Sequence, residues 1–132
     1  MGILVPDVGE VLLLSYMLNN VQPADVKLHI YVNDYTPVEG STIANFTECT
    51  AAGYAPITLT GANWTISTVA GVTTASYPEQ TFTMTATSTD YGVYITNNAG
   101  TQVLWAERFS DAPHTLPSGG GTEKITVKIQ GE

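Results

Sequence analysis

The chain has 132 residues, 12% of them charged, about half the share usual in soluble domains. Four Lys and Arg against 12 Asp and Glu give a formal charge of −8, which leaves no basic footprint for nucleic acid and no polybasic membrane anchor. With 43% apolar residues, 20 Thr and few Lys, Glu or Arg, the composition also argues against charge-driven disorder and coiled coils, leaving one weakly charged β domain.

Residues 7–19 are the one good helix candidate. Asp7 suits an N-cap, and Glu10 follows three residues later as in a capping box. Val8, Val11, Leu12, Leu14 and Leu18 recur near helical spacing, and Asn19-Asn20 suits a left-handed exit. Gly9 and the unbroken run Val11 to Leu14 leave a strand as the alternative. The apolar arc is wide for one helix on a small domain, which points to burial against the sheet or a neighbouring subunit. The stretch from Val8 to Leu18 is too short to span a bilayer, and the lack of a basic start argues against a signal peptide. Residues 1–22 are expected to form an N-terminal arm or helix that docks elsewhere, and 23–132 a single β-sandwich domain.

From Val26 the apolar period becomes two. Val26, Leu28, Ile30 and Val32 share one face, and Lys27, His29 and Tyr31 the other, which predicts a half-buried strand. Asn33-Asp34-Tyr35-Thr36-Pro37 ends it, and a long loop runs to about Pro56 with an apolar patch at Ile43 to Phe46. Strands are predicted at Asn63 to Thr68, Val72 to Tyr77 and Thr81 to Thr87, the third with a threonine face opposite Phe82 and Met84. Tyr91 to Thr96 and Gln102 to Phe109 flank Asn97-Asn98-Ala99-Gly100 as a hairpin whose second strand is covered on both faces. Ser118-Gly119-Gly120-Gly121 reads as a flexible hinge before a last strand carrying Ile125, Val127 and Ile129. The fold class expected is all-β, an antiparallel β-sandwich or jelly roll with one short N-terminal helix.

No catalytic or metal motif stands out. Cys49 is the only cysteine and reads as a small core or strand-end residue. His29 and His114 lack Cys, Asp or Glu at metal-ligand spacing and read as exposed strand and loop imidazoles. No serine sits in a nucleophile elbow, and a small hydrolase would require a cleft that the fold assembles. Asp34, Asp90, Asn97 and Asn98 could ligate Ca²⁺, but ordinary turn chemistry accounts for them. Trp64 and Trp105 suit the sandwich core, while the tyrosines lean to an oligomer interface. Arg108, the only arginine, suits an inter-strand or inter-subunit ion pair or an exposed position.

Tyr31-Val32-Asn33-Asp34-Tyr35-Thr36-Pro37 resembles a stretch found in small virion proteins of tailed bacteriophages. So do Phe46-Thr47-Glu48 with Gly53-Tyr54, Leu59-Thr60-Gly61-Ala62-Asn63-Trp64, and Leu104-Trp105-Ala106-Glu107-Arg108-Phe109. The resemblance covers Val26 to Phe109 and is to capsid cement (decoration) proteins. It implies a jelly roll or similar sandwich that forms homotrimers and clamps neighbouring major capsid proteins on the outer capsid surface, made in the host cytoplasm. It brings no catalytic residue, cofactor or metal, and no nucleic-acid or membrane partner. The interface residues expected are Tyr31, Tyr35, Tyr94, Arg108, Leu12 and Tyr16. A carbohydrate-binding or tail/baseplate accessory module in host recognition is the alternative.

Overall fold

The computed structural model describes residues 4–131. One helix, α1 (Asp7–Met17), precedes eleven strands. These are β1 (Val26–Tyr31), β2 (Ile57–Leu59), β3 (Thr65–Val69), β4 (Val72–Ser76), β5 (Gln80–Met84), β6 (Ser88–Asp90), β7 (Gly92–Thr96), β8 (Val103–Arg108), β9 (His114–Leu116), β10 (Gly121–Ile125) and β11 (Lys128–Gly131). Every pairing between these strands is antiparallel. The sheets run β2-β1-β7-β8, β11-β4-β3, β10-β5 and β6-β9. The chain is therefore an all-β sandwich with one short helix, as the period-two patterning predicts.

The register places Leu28 opposite Ile95 and Ile30 opposite Val93, so these four share one face. They join Leu59, Phe82, Met84 and Val127 in the main core. β1 is not the half-buried strand expected, because His29 and Tyr31 on its other face are buried too. The segment read as loop supplies the cover. Cys49 N–H donates to the Ile30 carbonyl at 2.9 Å, and Val32 N–H to the Thr47 carbonyl at 2.8 Å. That pairing lays Phe46 edge-on to Tyr31 at 5.2 Å and stacks it on Tyr94 at 4.8 Å. Polar spacing hid this, since only Ile43 and Phe46 mark the segment as apolar.

The predicted hairpin forms as β7 and β8, and β8 is covered on both faces. Three local readings need correction. Asp7 does not cap α1: Pro6 holds that position, and its carbonyl accepts from Gly9 and Glu10 N–H at 2.8 and 3.0 Å. The last strand is two, because the chain changes sheet at Thr126-Val127, with β10 on β5 and β11 on β4. The glycine run is no loose hinge. Gly120 sits at φ +81°, its N–H donates to the Pro117 carbonyl at 2.8 Å, and a Cβ there would strike the Met84 backbone.

Helix α1 packs on β8 through Gly9, where a Cβ would lie 2.6 Å from the Leu104 carbonyl oxygen, and through buried Leu12. Asn19 takes the left-handed exit at φ 58°. No helix among the described residues is long and apolar enough to cross a membrane. The other face of α1 meets nothing: Val11, Leu14, Met17 and Leu18 are exposed, Met17 by 73%.

Candidate functional site

Pairing of Ile95 with Trp105 and Val93 with Glu107 turns Trp105 and Glu107 to the main-core face of the sheet, away from Tyr94 and Ala106. Trp105 there walls two adjoining hollows. One, of about 220 Å³, is lined by Trp105, Glu107, Phe109, His114, Lys124 and Lys128, with apolar residues of β7 and β10 beneath. The other, of about 380 Å³, is mostly apolar, with Val26, Leu59, Trp64, Ile66 and Ile129 around it and Asp25, which accepts from Gly61 N–H at 2.9 Å, also in its lining. Its floor is a cross-strand row, because Ala75 of β4 pairs with both Ile66 of β3 and Ile129 of β11. The two hollows share Trp105 as a common wall, and together they form the Trp105 trough, mostly apolar on one side of the ring and bearing two lysines on the other.

The charge in this trough is unusual for the chain. Lys124 and Lys128 are two of its four basic residues. Among the described residues neither takes part in an ion pair. Burial raises the Glu107 carboxyl above the usual carboxylate range, which weakens the one acid beside the lysines; Asp25 lies in the other hollow. Flat rings beside hydrogen-bonding side chains suit a sugar; an apolar floor with a cationic end suits an acidic, apolar protein surface.

His114 closes the rim. Its ring stacks on Phe109 at 4.3 Å, Nε2 donates to Asp111 Oδ1 at 2.6 Å, and Nδ1 lies 3.1 Å from both Glu123 carboxylate oxygens. Burial opposes charge on the imidazole, but the bonds and charges of Asp111 and Glu123 outweigh it and raise its pKa. The bond from His114 lowers that of Asp111. His114 is thus tied to two carboxylates rather than being the free loop imidazole expected.

His29 lies on the other side of the sheet, buried and stacked on Tyr94 at 4.6 Å. Nδ1 donates to Glu48 Oε1 at 2.7 Å, and Nε2 lies 2.8 Å from Thr96 Oγ1. Tyr54 Oη donates to the same Glu48 oxygen at 2.9 Å. Carboxylate, imidazole and hydroxyl stand in line as in a hydrolytic triad. However, Thr96 is 0% exposed and its hydroxyl also donates to the Asn97 carbonyl at 2.9 Å, so no substrate reaches it in this conformation. The network ties β1, β7 and the covering segment together. Burial raises the Tyr54 and Tyr94 hydroxyl pKa values well above the usual range, and pushes Tyr31 up to about 12.

A third polar group lies between β6 and the core. Ser88 Oγ donates to Asp90 Oδ1 and sits 3.5 Å from buried Cys49 Sγ, the small core residue expected. Asp90 Oδ2 is buried without a partner. Burial raises its carboxyl pKa, the Ser88 bond lowers it, and Glu123 nearby raises it further. Among the described residues no group of three or more His, Cys, Asp or Glu is arranged to hold a metal ion. Of the Ca²⁺ candidates, Asp34 pairs with Arg108 at 2.7 Å, Asn97 Oδ1 accepts from Thr101 and Gln102 N–H in its turn, and Asp90 is buried on β6 rather than in a loop.

The six predicted interface residues do not form a surface. Leu12, Tyr31 and Tyr94 are core residues, because the helix and the covering segment close over them. Tyr16 is half-buried against the main core. Tyr35 is half-buried, its hydroxyl within 2.7 Å of Ser41 Oγ. Arg108 makes an intrachain pair with Asp34, donates to the Tyr35 carbonyl at 3.1 Å, and lies 5.2 Å over the Tyr91 ring. Trp64 and Trp105 are only half-buried, each with one side on the core and one on the trough. The exposed large apolar residues among those described fall mainly in two groups, Val11, Leu14 and Met17 on α1 with Leu18 just after it, and Ile66, Val69 and Val72 on the β3–β4 hairpin; Val21 and Val38 are exposed singly. The width of the helix's apolar arc was the available signal for the first group. Ile66 carried none, since its neighbours are polar on both sides.

No family model, curated protein or solved structure matches this chain.

Proposed function

We propose that this protein is a structural virion subunit of the capsid cement type, assembling with copies of itself and bracing neighbouring major capsid proteins. The observation that carries this reading is the outward face of α1, where Val11, Leu14, Met17 and Leu18 stay in water although the opposite face is packed. A contiguous apolar row of this kind on a small domain marks a contact surface. Low charge supports the reading, since few ions must be desolvated when such a surface is buried. The net charge of −8 keeps the free subunit soluble and would give a particle a negative exterior. The order proposed is a homotrimer, on the phage-protein resemblance of Val26 to Phe109.

The test is titration of expanded phage heads with the purified protein. Saturable binding that raises the temperature at which the heads rupture is expected. Absence of binding at micromolar protein, together with a monomer in solution, would refute the reading.

A further inference from the structure

We infer that the exposed face of α1 in one copy seats in the Trp105 trough of the next, a head-to-tail contact between two different surfaces. This inference rests on the self-assembly proposed above.

Both surfaces are polar along their length in a matching sense. The outer face of α1 begins with exposed Asp7 and Glu10 and continues as exposed Val11, Leu14, Met17 and Leu18. No Lys or Arg precedes Lys27, so nothing on the helix offsets its acidic end. The trough begins with Lys124 and Lys128 and continues past Trp105 to Trp64, Ile66 and Ile129. Acid against cation fixes the direction, and apolar row against apolar floor supplies the buried area. In a chain with four basic residues, two lysines lining one hollow, neither in an ion pair among the described residues, are a large share of its positive charge.

A subunit does not satisfy the pair by itself. Gly9 and Leu12 hold its α1 on β8, and no residue of the helix lines either hollow. The occupant of each trough is therefore a second copy. A contact between unlike patches gives a ring, such as a trimer, where its rotation closes, and an open filament where it does not.

The test uses charge reversal on the full chain, read by analytical ultracentrifugation in low salt, with circular dichroism to confirm folding. Lys124→Glu with Lys128→Glu, and separately Asp7→Lys with Glu10→Lys, are each expected to weaken assembly tenfold or more. All four changes in one chain are expected to restore it, because every contact is then complementary again. A wild-type oligomer left unchanged by either pair overturns this contact while leaving self-assembly standing, whether the trough then proves empty or binds a saccharide. A wild-type chain that stays monomeric at every concentration overturns both.

Discussion

β7 and β3 are five-residue strands of similar texture, Gly-Val-Tyr-Ile-Thr and Thr-Ile-Ser-Thr-Val. Every residue of β7 is buried and every residue of β3 is exposed. Composition does not separate them; neighbours do. β7 has β1 and β8 on its two edges, Phe46 over one face and the other sheets over the opposite face. β3 lies at the edge of its sheet with β4 alone beside it. An edge strand with bare Ile66 and Val69 is an aggregation hazard unless a partner covers it. The two faces of α1 repeat the contrast, Leu12 packed and Met17 bare. Within one small domain, a finished core stands beside surfaces whose apolar residues no other described residue covers.

The comparison is sharpest when apolar residues are cut back. Ile95→Ala opens a cavity among Leu28, Leu59 and Val93 and is expected to lower unfolding stability by about 2–5 kcal/mol, read by denaturant titration. Glu48→Ala removes the acceptor shared by His29 and Tyr54 and should lower it by about 1–3 kcal/mol. A loss as large for Glu48 as for Ile95 would mean that the polar network, not the apolar face, dominates this sheet.

The rim group responds to pH. His114 is held charged in the fold, so its contribution is complete below the unfolded imidazole value of about 6.5 and is lost as pH rises through its raised folded value. Asp90, with its raised carboxyl, works in the same direction: its contribution is present when protonated and is lost as pH rises through the folded value. Asp111 works oppositely, contributing above its unfolded value of about 3.9 and losing that as pH falls through the depressed one. Stability is therefore expected to decline modestly from weakly acidic to weakly alkaline pH. His114→Gln should flatten that part of the slope in thermal melts.

The smallest effect on the subunit is expected at Ile66. Ile66→Ala should change unfolding stability by no more than about 0.5 kcal/mol, because the side chain is 70% exposed. Its consequence is expected in assembly instead, as a lower oligomer fraction at a fixed concentration.

The fold class was legible because period-two runs such as Leu28 to Ile30 and Phe82 to Met84 bury the residues that alternation selects. The helix was legible from its spacing, and the hairpin from Asn97 to Gly100. The second covered face of β1 was not, because its lid is a polar segment whose backbone bonds, rather than its side chains, lay Phe46 over Tyr31. Tyrosines read as contact residues proved to be core for that reason. The trough was illegible for another: Trp105, Ile66 and Lys128 lie far apart in sequence and come together only where the sheet that holds β8 meets the β11-β4-β3 sheet. His29 looked isolated because Glu48 reaches it across strands, and His114 because Glu123 reaches it across a turn, although its other partner, Asp111, lies only three residues before it.

The most direct test of a surface left for neighbours is the mass of the protein in solution across a concentration series, measured by analytical ultracentrifugation. Reversible assembly to a closed oligomer, weakened by Met17→Glu on the bare face of α1, is the expected result. A single monomeric species at all concentrations, in the wild type as in the variant, would contradict it.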